Sequence, residues 1–473
     1  MKSTKLRLIA LLVVVVMLCA SFSVGFAPAA SGTDGALDLS GQTIDFTILG
    51  IGGWVPSSLS IEMSPLFAEY AKENFGYDVN FSFAEAPFDN LFQKAATSLA
   101  AQSNEFNLII SDSQWLGALS EPGWIIQLND IIDANPNLQV DWYSESASKA
   151  YMNYPDGSDN IWGLPQEADV LILYVRADLF TDEAERAAFE EAYGYALPAD
   201  DSVEEWEDID YVKFGQISEF FTRPDDDLYG TTIQYSKIYD FLTGSFYPFI
   251  WSSGGEVWDQ ETKSVEGVLN TDLNAEMLAL DKEFMQYCPP GAIDVDISGI
   301  IDNFNAGKAA TGFQWAAQGA AMTGPEGSEV WAVIPPGYRN DDESVSRTYS
   351  LGGQPWVINA FNTDEQMQVA VDFLNWWYTD ETQLEFARRG GNPLGTNVLE
   401  SDGFDEIQLW FPAYKYMMQE GYSKDFWHEP TYAELLAIQQ EAWSAYMAGD
   451  DGSVEAAKAV MDDVAAKQQE VLN

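Results

Sequence analysis

Apolar and polar positions change rhythm along this chain, and the changes mark out elements. Short apolar runs of strand character over residues 43–49, 77–83 and 106–111 alternate with helix-like stretches over 61–74 and 88–102. In the second of those stretches Leu91, Phe92, Ala95, Ala96 and Leu99 recur at helical spacing and form one apolar stripe, as expected of a helix lying on a sheet. The alternation β-α-β-α-β predicts a layered α/β unit.

After Pro165 the texture differs. Residues 170–175 are almost continuously apolar, as in a strand buried on both faces, and this is where the chain is expected to cross from one unit to another. Residues 181–229 are acidic and helix-prone, and 231–335 mix short strands with helices, one of them over 272–287, which predicts a second lobe. An apolar strand at Val357 and Ile358, opened by Gly352 and Gly353, leads to a helix with Asn362 or Thr363 as its cap. Ala370, Phe373, Leu374, Trp377 and Tyr378 share one face of that helix. Two last helices, over 432–448 and 454–472, are separated by a Gly- and Asp-rich break, with Ser453 capping the second. A chain of 473 residues exceeds what one core usually serves, and no repeat is visible, so two α/β domains are expected.

The N-terminus has a separate logic. Lys2, Lys5 and Arg7 precede an apolar run over 8–18, followed by small residues. That is the layout of a secretory signal peptide over 1–29, with Ala27, Pro28 and Ala29 supplying the small-x-small pattern and cleavage expected after Ala29. The run is shorter than the roughly 20 apolar residues a membrane span needs. A lipoprotein signal is the alternative, because Cys19 lies in the segment, although Leu18 rather than a small residue precedes it. Removing Cys19 leaves Cys288 alone, so no disulfide within the chain is expected. The reading is an exported soluble protein, periplasmic or at the cell surface.

Acids outnumber bases 75 to 22, for a formal net charge of −53. Nucleic acid and anionic lipid are therefore excluded as partners, and the excess suits high salt, where self-repulsion is screened. Runs such as Asp225, Asp226 and Asp227 lack metal-ligand spacing and read as solvated surface. With 16 Trp, 22 Tyr and 27 Phe, the chain is nonetheless globular rather than disordered.

Enzyme signatures are scarce. The one histidine, His428, would have to serve any catalytic triad, and zinc motifs and a phosphate cradle fail for want of residues, so no metal and no cofactor are expected. Asp156, Ser158, Asn160 and Glu167 fall at EF-hand-like spacing, but Ile161 stands where the loop needs Gly, and a turn at Pro155, Asp156 and Gly157 is the better reading. Asn80 opens a glycosylation sequon inside a predicted strand and is expected to stay unmodified. A glycosidase needs only two carboxylates, which the sequence cannot exclude.

Aromatic residues beside small or polar ones in loop positions stand out: Trp54 after Gly52 and Gly53, Trp115 after Asp112, Trp251 before Ser252 and Gly254, and Trp315 after Gln314. A pyranose packs its C–H face on an aromatic ring while its hydroxyls need donors and acceptors. Taken singly, each Trp reads as well as core.

In order along the chain, Asp112 with Trp115, Pro122, Gly123 and Trp124; Gly163, Leu164 and Pro165 leading into Ala168, Asp169 and the apolar run to Tyr174; Trp251 to Gly255; Phe304 to Ala310 leading to Trp315; and Leu351, Gly352 and Gly353 resemble landmarks of the extracellular carbohydrate-binding proteins of ABC importers, the family that includes maltose-binding protein. The tail from Pro430 is similar to that family's closing helices. The resemblance implies a two-lobed periplasmic-binding-protein-like fold, with a ligand cleft between lobes joined by crossing strands. The expected first lobe is 30–166 plus 356–402 and the second 167–355 plus 403–473. It also implies a monomeric receptor, not an enzyme, that captures a carbohydrate and delivers it to the membrane permease subunits. Trp54, Asp112, Trp115, Asp169, Trp251, Trp315, Gly352, Gly353, Gln354 and Arg389 are the expected ligand contacts. Two departures touch the site: Gln354 and Pro355 intervene before Trp356, where relatives often place Trp directly after Gly-Gly, and Trp427 and His428 stand where relatives often carry Arg. A binding protein for an oligopeptide, a polyol or a polyamine remains the alternative within this architecture.

Overall fold

Two five-stranded sheets organise the chain in the computed structural model, which describes residues 37–425 and 428–473. The expected leader, its cleavage point after Ala29, Cys19 and Trp427 lie outside the described residues. The strands are β1 (Thr43–Ile51), β2 (Asp78–Ala86), β3 (Leu108–Ile110), β4 (Leu164–Pro165), β5 (Asp169–Arg176), β6 (Thr311–Trp315), β7 (Val330–Val333), β8 (Tyr338–Arg339), β9 (Val345–Ser346), β10 (Tyr349–Gly352), β11 (Pro355–Ile358) and β12 (Ser423–Lys424).

The first sheet runs β2-β1-β3-β11-β4. Its first three strands are parallel, built by the β-α-β-α-β alternation, while β11 and β4 join antiparallel. The second runs β12-β10-β5-β6, with β7 also on β5; β8 and β9 make a separate hairpin. Every residue of β5 but Arg176 is buried, which explains its unbroken apolar run: neighbours flank it on both edges and helices cover it.

Helices Val55–Phe75, Phe88–Ala100 and Asp364–Trp377 pack on β1. The first begins six residues earlier than the pattern predicts. Its buried face mixes Ser57, Ser60 and Ser64 with Leu59 and Met63, so the apolar stripe fades there. Two of these hydroxyls are satisfied along the helix itself, Ser60 on Pro56 O and Ser64 on Ser60 O. Thr363, not Asn362, caps the helix after β11, in a reciprocal box with Gln366. Asp272–Phe284 and the closing helices Tyr432–Ala448 and Val454–Leu472 lie as the periodicity predicts and pack on one another and on helix Phe241–Ser252, which lies on β10; Ser453 caps the last.

The fully buried Trp356 and Trp377 anchor an aromatic core with Phe373 in the first lobe, and Phe246, Tyr247 and Trp443 pack in the second. The loop at Asp156 turns through Gly157, whose φ of +78° suits glycine. Asn80 sits on the edge strand β2 and donates to Asp45.

A candidate ligand cleft between the lobes

The chain leaves the first sheet at β4 and enters the second at β5, then returns from β10 to β11. The two passages lie side by side: Gly352 pairs with Asp169 in the second sheet and Pro355 with Pro165 in the first. Between these pairs Gln166 N donates to Gln354 O at 2.7 Å, and Ala168 N reaches Asn392 O at 3.2 Å. Gly353 is forced by this closeness. Its φ is +104°, and a Cβ there would meet Ala168 Cα, Asp169 N and Glu167 O, each at 2.9 Å. Gln166 pins the passage to the first lobe through its side-chain amide, 2.7 Å from Ser60 Oγ.

Above this floor lies a cavity of ≈ 30 Å³ whose walls come from both lobes. Trp54, Phe88, Asp112, Ser113 and Gln114 line the first wall; Tyr239, Asp240, Phe241, Ile297 and Trp315 line the second. Asp112 caps the helical turn Ser113–Trp115 by accepting from Gln114 N. Asp240 stands at the cap of helix Phe241–Ser252 but makes no capping bond; its carboxylate reaches across to accept from Gln114 Nε2 at 2.8 Å. The rings of Phe88 and Tyr239 also meet across the cleft, 5.4 Å apart. Tyr239 has a φ of +53°, uncommon for a bulky residue, which turns the chain so that it and Asp240 face the opposite lobe.

Carboxyls dominate the electrostatics. Burial pushes Asp169 well above the usual range, against the bonds its Oδ1 accepts from Val170 N and Ala317 N. Burial, and then the charge of Asp169, raise Glu167, against the bond its Oε1 accepts from Trp54 Nε1 at 2.7 Å. Asp112 is raised by burial first and by the charge of Asp425 second, and Asp240 by burial first and by the charge of Asp112 second. Asp169 Oδ2, Gln114 Oε1 and Gln354 Oε1 are buried without a protein partner.

Seven of the expected contacts thus converge: Trp54, Asp112, Asp169, Trp315, Gly352, Gly353 and Gln354 all line this one cavity. The Trp315 ring lies on Gly352, where a Cβ would come within 2.6 Å of it. The other three lie elsewhere. Trp115 is fully buried and packs on Phe92 with ring centroids 5.4 Å apart. Arg389 is partly exposed and paired with Glu385 on its own helix at 2.8 Å. Trp251 lines a separate groove of ≈ 530 Å³, with Trp258, Glu256 and Lys424 from the second lobe and Ser146 and Lys149 from the first. His428 borders the same groove. Burial opposes its charge, but bonds from its two ring nitrogens to Asp156 and Asp425 outweigh that and raise it to about 10, so it is a fixed cation rather than a proton shuttle. Its carbonyl lies 2.0 Å from where a Cβ on Gly117 would stand, a close approach between the tail and the first lobe.

The wall residues Phe88, Gln114, Tyr239, Asp240 and Phe241 were not among the expected contacts. Tyr239, Asp240 and Phe241 do carry the same signal as the Trp loops, an acid between aromatic residues ahead of a helix.

No curated protein matches the sequence. Among solved structures, an ABC transporter solute-binding protein from Agrobacterium radiobacter K84, in complex with ribitol, aligns over 92% of this chain and 99% of its own at a TM-score of 0.70 and 19% identity. Maltose-bound MalE3 of T. maritima aligns over 90% and 99% at 0.70 and 16%. A solute-binding protein from Thermotoga lettingae TMO, bound with α-D-tagatose, aligns over 90% and 100% at 0.68 and 14%. At these identities the likeness establishes the two-lobed fold. The bacterial extracellular solute-binding protein family model matches residues 56–384, most of the chain, and the protein belongs to that family.

Proposed function

We propose that this protein is the exported receptor of an ABC importer, which captures a carbohydrate or polyol between its lobes and presents it to a membrane permease. The observation that carries this reading is the cavity whose aromatic and polar walls come from opposite lobes: Trp54 and Phe88 face Tyr239 and Trp315, with Asp112, Gln114 and Asp240 among them. Rings suit the C–H face of a sugar, and carboxylates and amides suit its hydroxyls. The solved relatives bound to ribitol, maltose and tagatose agree with that chemistry.

At ≈ 30 Å³ the cavity has room for about one water, so admitting a sugar requires the lobes to part. The adjoining passages at 166–168 and 353–354 are the natural hinge. Ligand contacts made to both walls then favour closure, and the closed form is what a permease would recognise. In this reading no bond is broken, and the protein acts as a monomer. The lobes divide as 30–166 with 356–402 and 167–355 with 403–473. Trp54, Asp112, Asp169, Trp315, Gly352, Gly353 and Gln354 contact the ligand, and Trp251 offers a platform for longer ligands.

Export rests on the leader pattern and on the family; among the described residues no helix is long and apolar enough to cross a membrane. Thermal-shift and calorimetric screening across mono- and oligosaccharides and polyols tests the reading. Saturable binding of one of them is expected, and flat responses to all of them overturn it.

A further inference from the structure

Among the described residues that line the cavity, Asp112, Asp169 and Asp240 are carboxylates, and none is Lys, Arg or His. Two of the side-chain donors at the site are engaged within the protein, Trp54 Nε1 by Glu167 and Gln114 Nε2 by Asp240, which leaves the Trp315 indole N–H and the hydroxyls as donors against three carboxylates. The buried atoms left without a partner are mostly acceptors. Asp169 is fully buried with Oδ2 unpartnered, and Gln114 Oε1 and Gln354 Oε1, both on residues more than nine-tenths buried, are unpartnered too. The hydroxyls of Ser113 and Tyr239, the latter beside Asp112, can act either way.

A neutral sugar brings a donor and an acceptor on every hydroxyl and needs both in return, whereas an ammonium group brings three donors and no acceptor. We propose that the solute captured in this cleft carries a protonated amine. On the carbohydrate reading above, on which this inference builds, the ligand is therefore an amino sugar rather than a neutral one.

The rings fit this ligand as well. Trp54, Phe88, Tyr239 and Trp315 surround the carboxylates, and aromatic faces attract a desolvated cation. A buried carboxylate is costly without a counter-charge, and the raised Asp112, Asp169 and Asp240 are what such a site looks like before the cation enters. The net charge of −53 steers cations toward the whole surface, so attraction alone does not mark the cleft; the unpartnered acceptors do.

Calorimetry on the full mature chain at neutral pH, with D-glucosamine and its β-1,4-linked disaccharide against their N-acetylated counterparts, D-glucose and 1,4-diaminobutane, tests this. An amino sugar is expected to bind about tenfold to a hundredfold more tightly than its N-acetylated form, the effect of one charge-assisted hydrogen bond. That preference should persist at salt on the order of 0.5 M, where surface attraction is screened. Asp169→Asn, which keeps the Oδ1 acceptor, should reduce it to about threefold or less, and Asp240→Asn serves as a second variant should the first not fold. Neutral sugars binding as tightly as amino sugars overturn the inference while leaving the carbohydrate receptor standing. Diamine binding without any sugar binding supports the amine and removes the sugar. No response to any amine, or a preference lost at high salt, overturns the proposal.

Discussion

Gln114 and Asp240 meet at 2.8 Å across the cleft, a buried hydrogen bond between side chains 126 residues apart in sequence. It joins the cap region of one lobe's first helical turn after β3 to the helix start of the other lobe. Removing the amide leaves a buried carboxylate without its donor, at a cost of about 1.5–3 kcal/mol charged to the closed form alone. Gln114→Ala should therefore give a larger radius of gyration by small-angle X-ray scattering and weaken ligand binding by about tenfold or more. An unchanged radius and affinity would mean that this bond does not help hold the lobes together.

Gly353→Ala should be severely destabilising. The new methyl would meet backbone atoms on three sides at 2.9 Å, in a conformation with φ of +104° that L residues rarely adopt. A loss of roughly 2–4 kcal/mol is expected, read as a lower denaturant midpoint. Gly123→Ala is the control: that residue also has positive φ but open space around it, and it should cost about 1 kcal/mol. Equal losses at the two positions would show that the closeness of the passages carries no penalty of its own.

Trp115 and Trp315 should separate cleanly. Trp115→Leu opens the core against Phe92 and should cost about 2–4 kcal/mol of stability while leaving affinity unchanged. Trp315→Leu removes a wall of the cavity and should lower affinity as well as stability. If Trp115→Leu weakened binding with no change in Tm, Trp115 would belong to the ligand surface after all.

Stability should fall as pH rises from about 4 to 10. Asp281 is buried away from the cleft and held up at about 8 by burial, only partly offset by the hydroxyl of Tyr235; the folded protein therefore keeps a proton that the unfolded chain has released above the ordinary value of 3.8. His428, held at about 10 against an ordinary 6.5, likewise keeps its proton when folded. Both make the folded state bind more protons than the unfolded one, so stability declines across 3.8 to 8 for the acid and across 6.5 to 10 for the histidine. Thermal melts should be highest near the acidic end of that range. Asp281→Asn should flatten the lower part of the profile and His428→Gln the upper part, and a wild-type Tm rising from pH 5 to 9 would contradict both assignments.

Much of the fold was legible because burial left a periodic trace. β5 read as a two-sided strand since both its faces are covered, and Asp272–Phe284 and the closing helices show their stripes. The start of helix Val55–Phe75 was not legible, since serines that satisfy their own hydroxyls face the core there. At the candidate site, Asp169, Gly352, Gly353 and Gln354 are expected from the resemblance of the two crossings to the family's, and all four line the cavity. Trp115 and Trp251 carry the same aromatic-in-a-loop signal but lie outside this cavity, because the signal places a ring at an element's end without saying which way it turns. Asp240 was missed for a different reason. Its partner Gln114 is on the other lobe, and no spacing along the chain encodes a contact made only when two sheets face each other.

If the lobes swing about the paired passages as proposed, the floor of the cleft is also its axle. Asp169, Gly352, Gly353 and Gln354 touch the enclosed space and at the same time belong to the paired passages about which the lobes would swing. A substitution there alters recognition and mechanics together, and selection would rarely favour both changes at once. The facing walls carry no such double duty. Divergence in what such receptors carry should therefore accumulate at positions like Phe88, Ser113, Tyr239 and Phe241, around an axle that stays as it is.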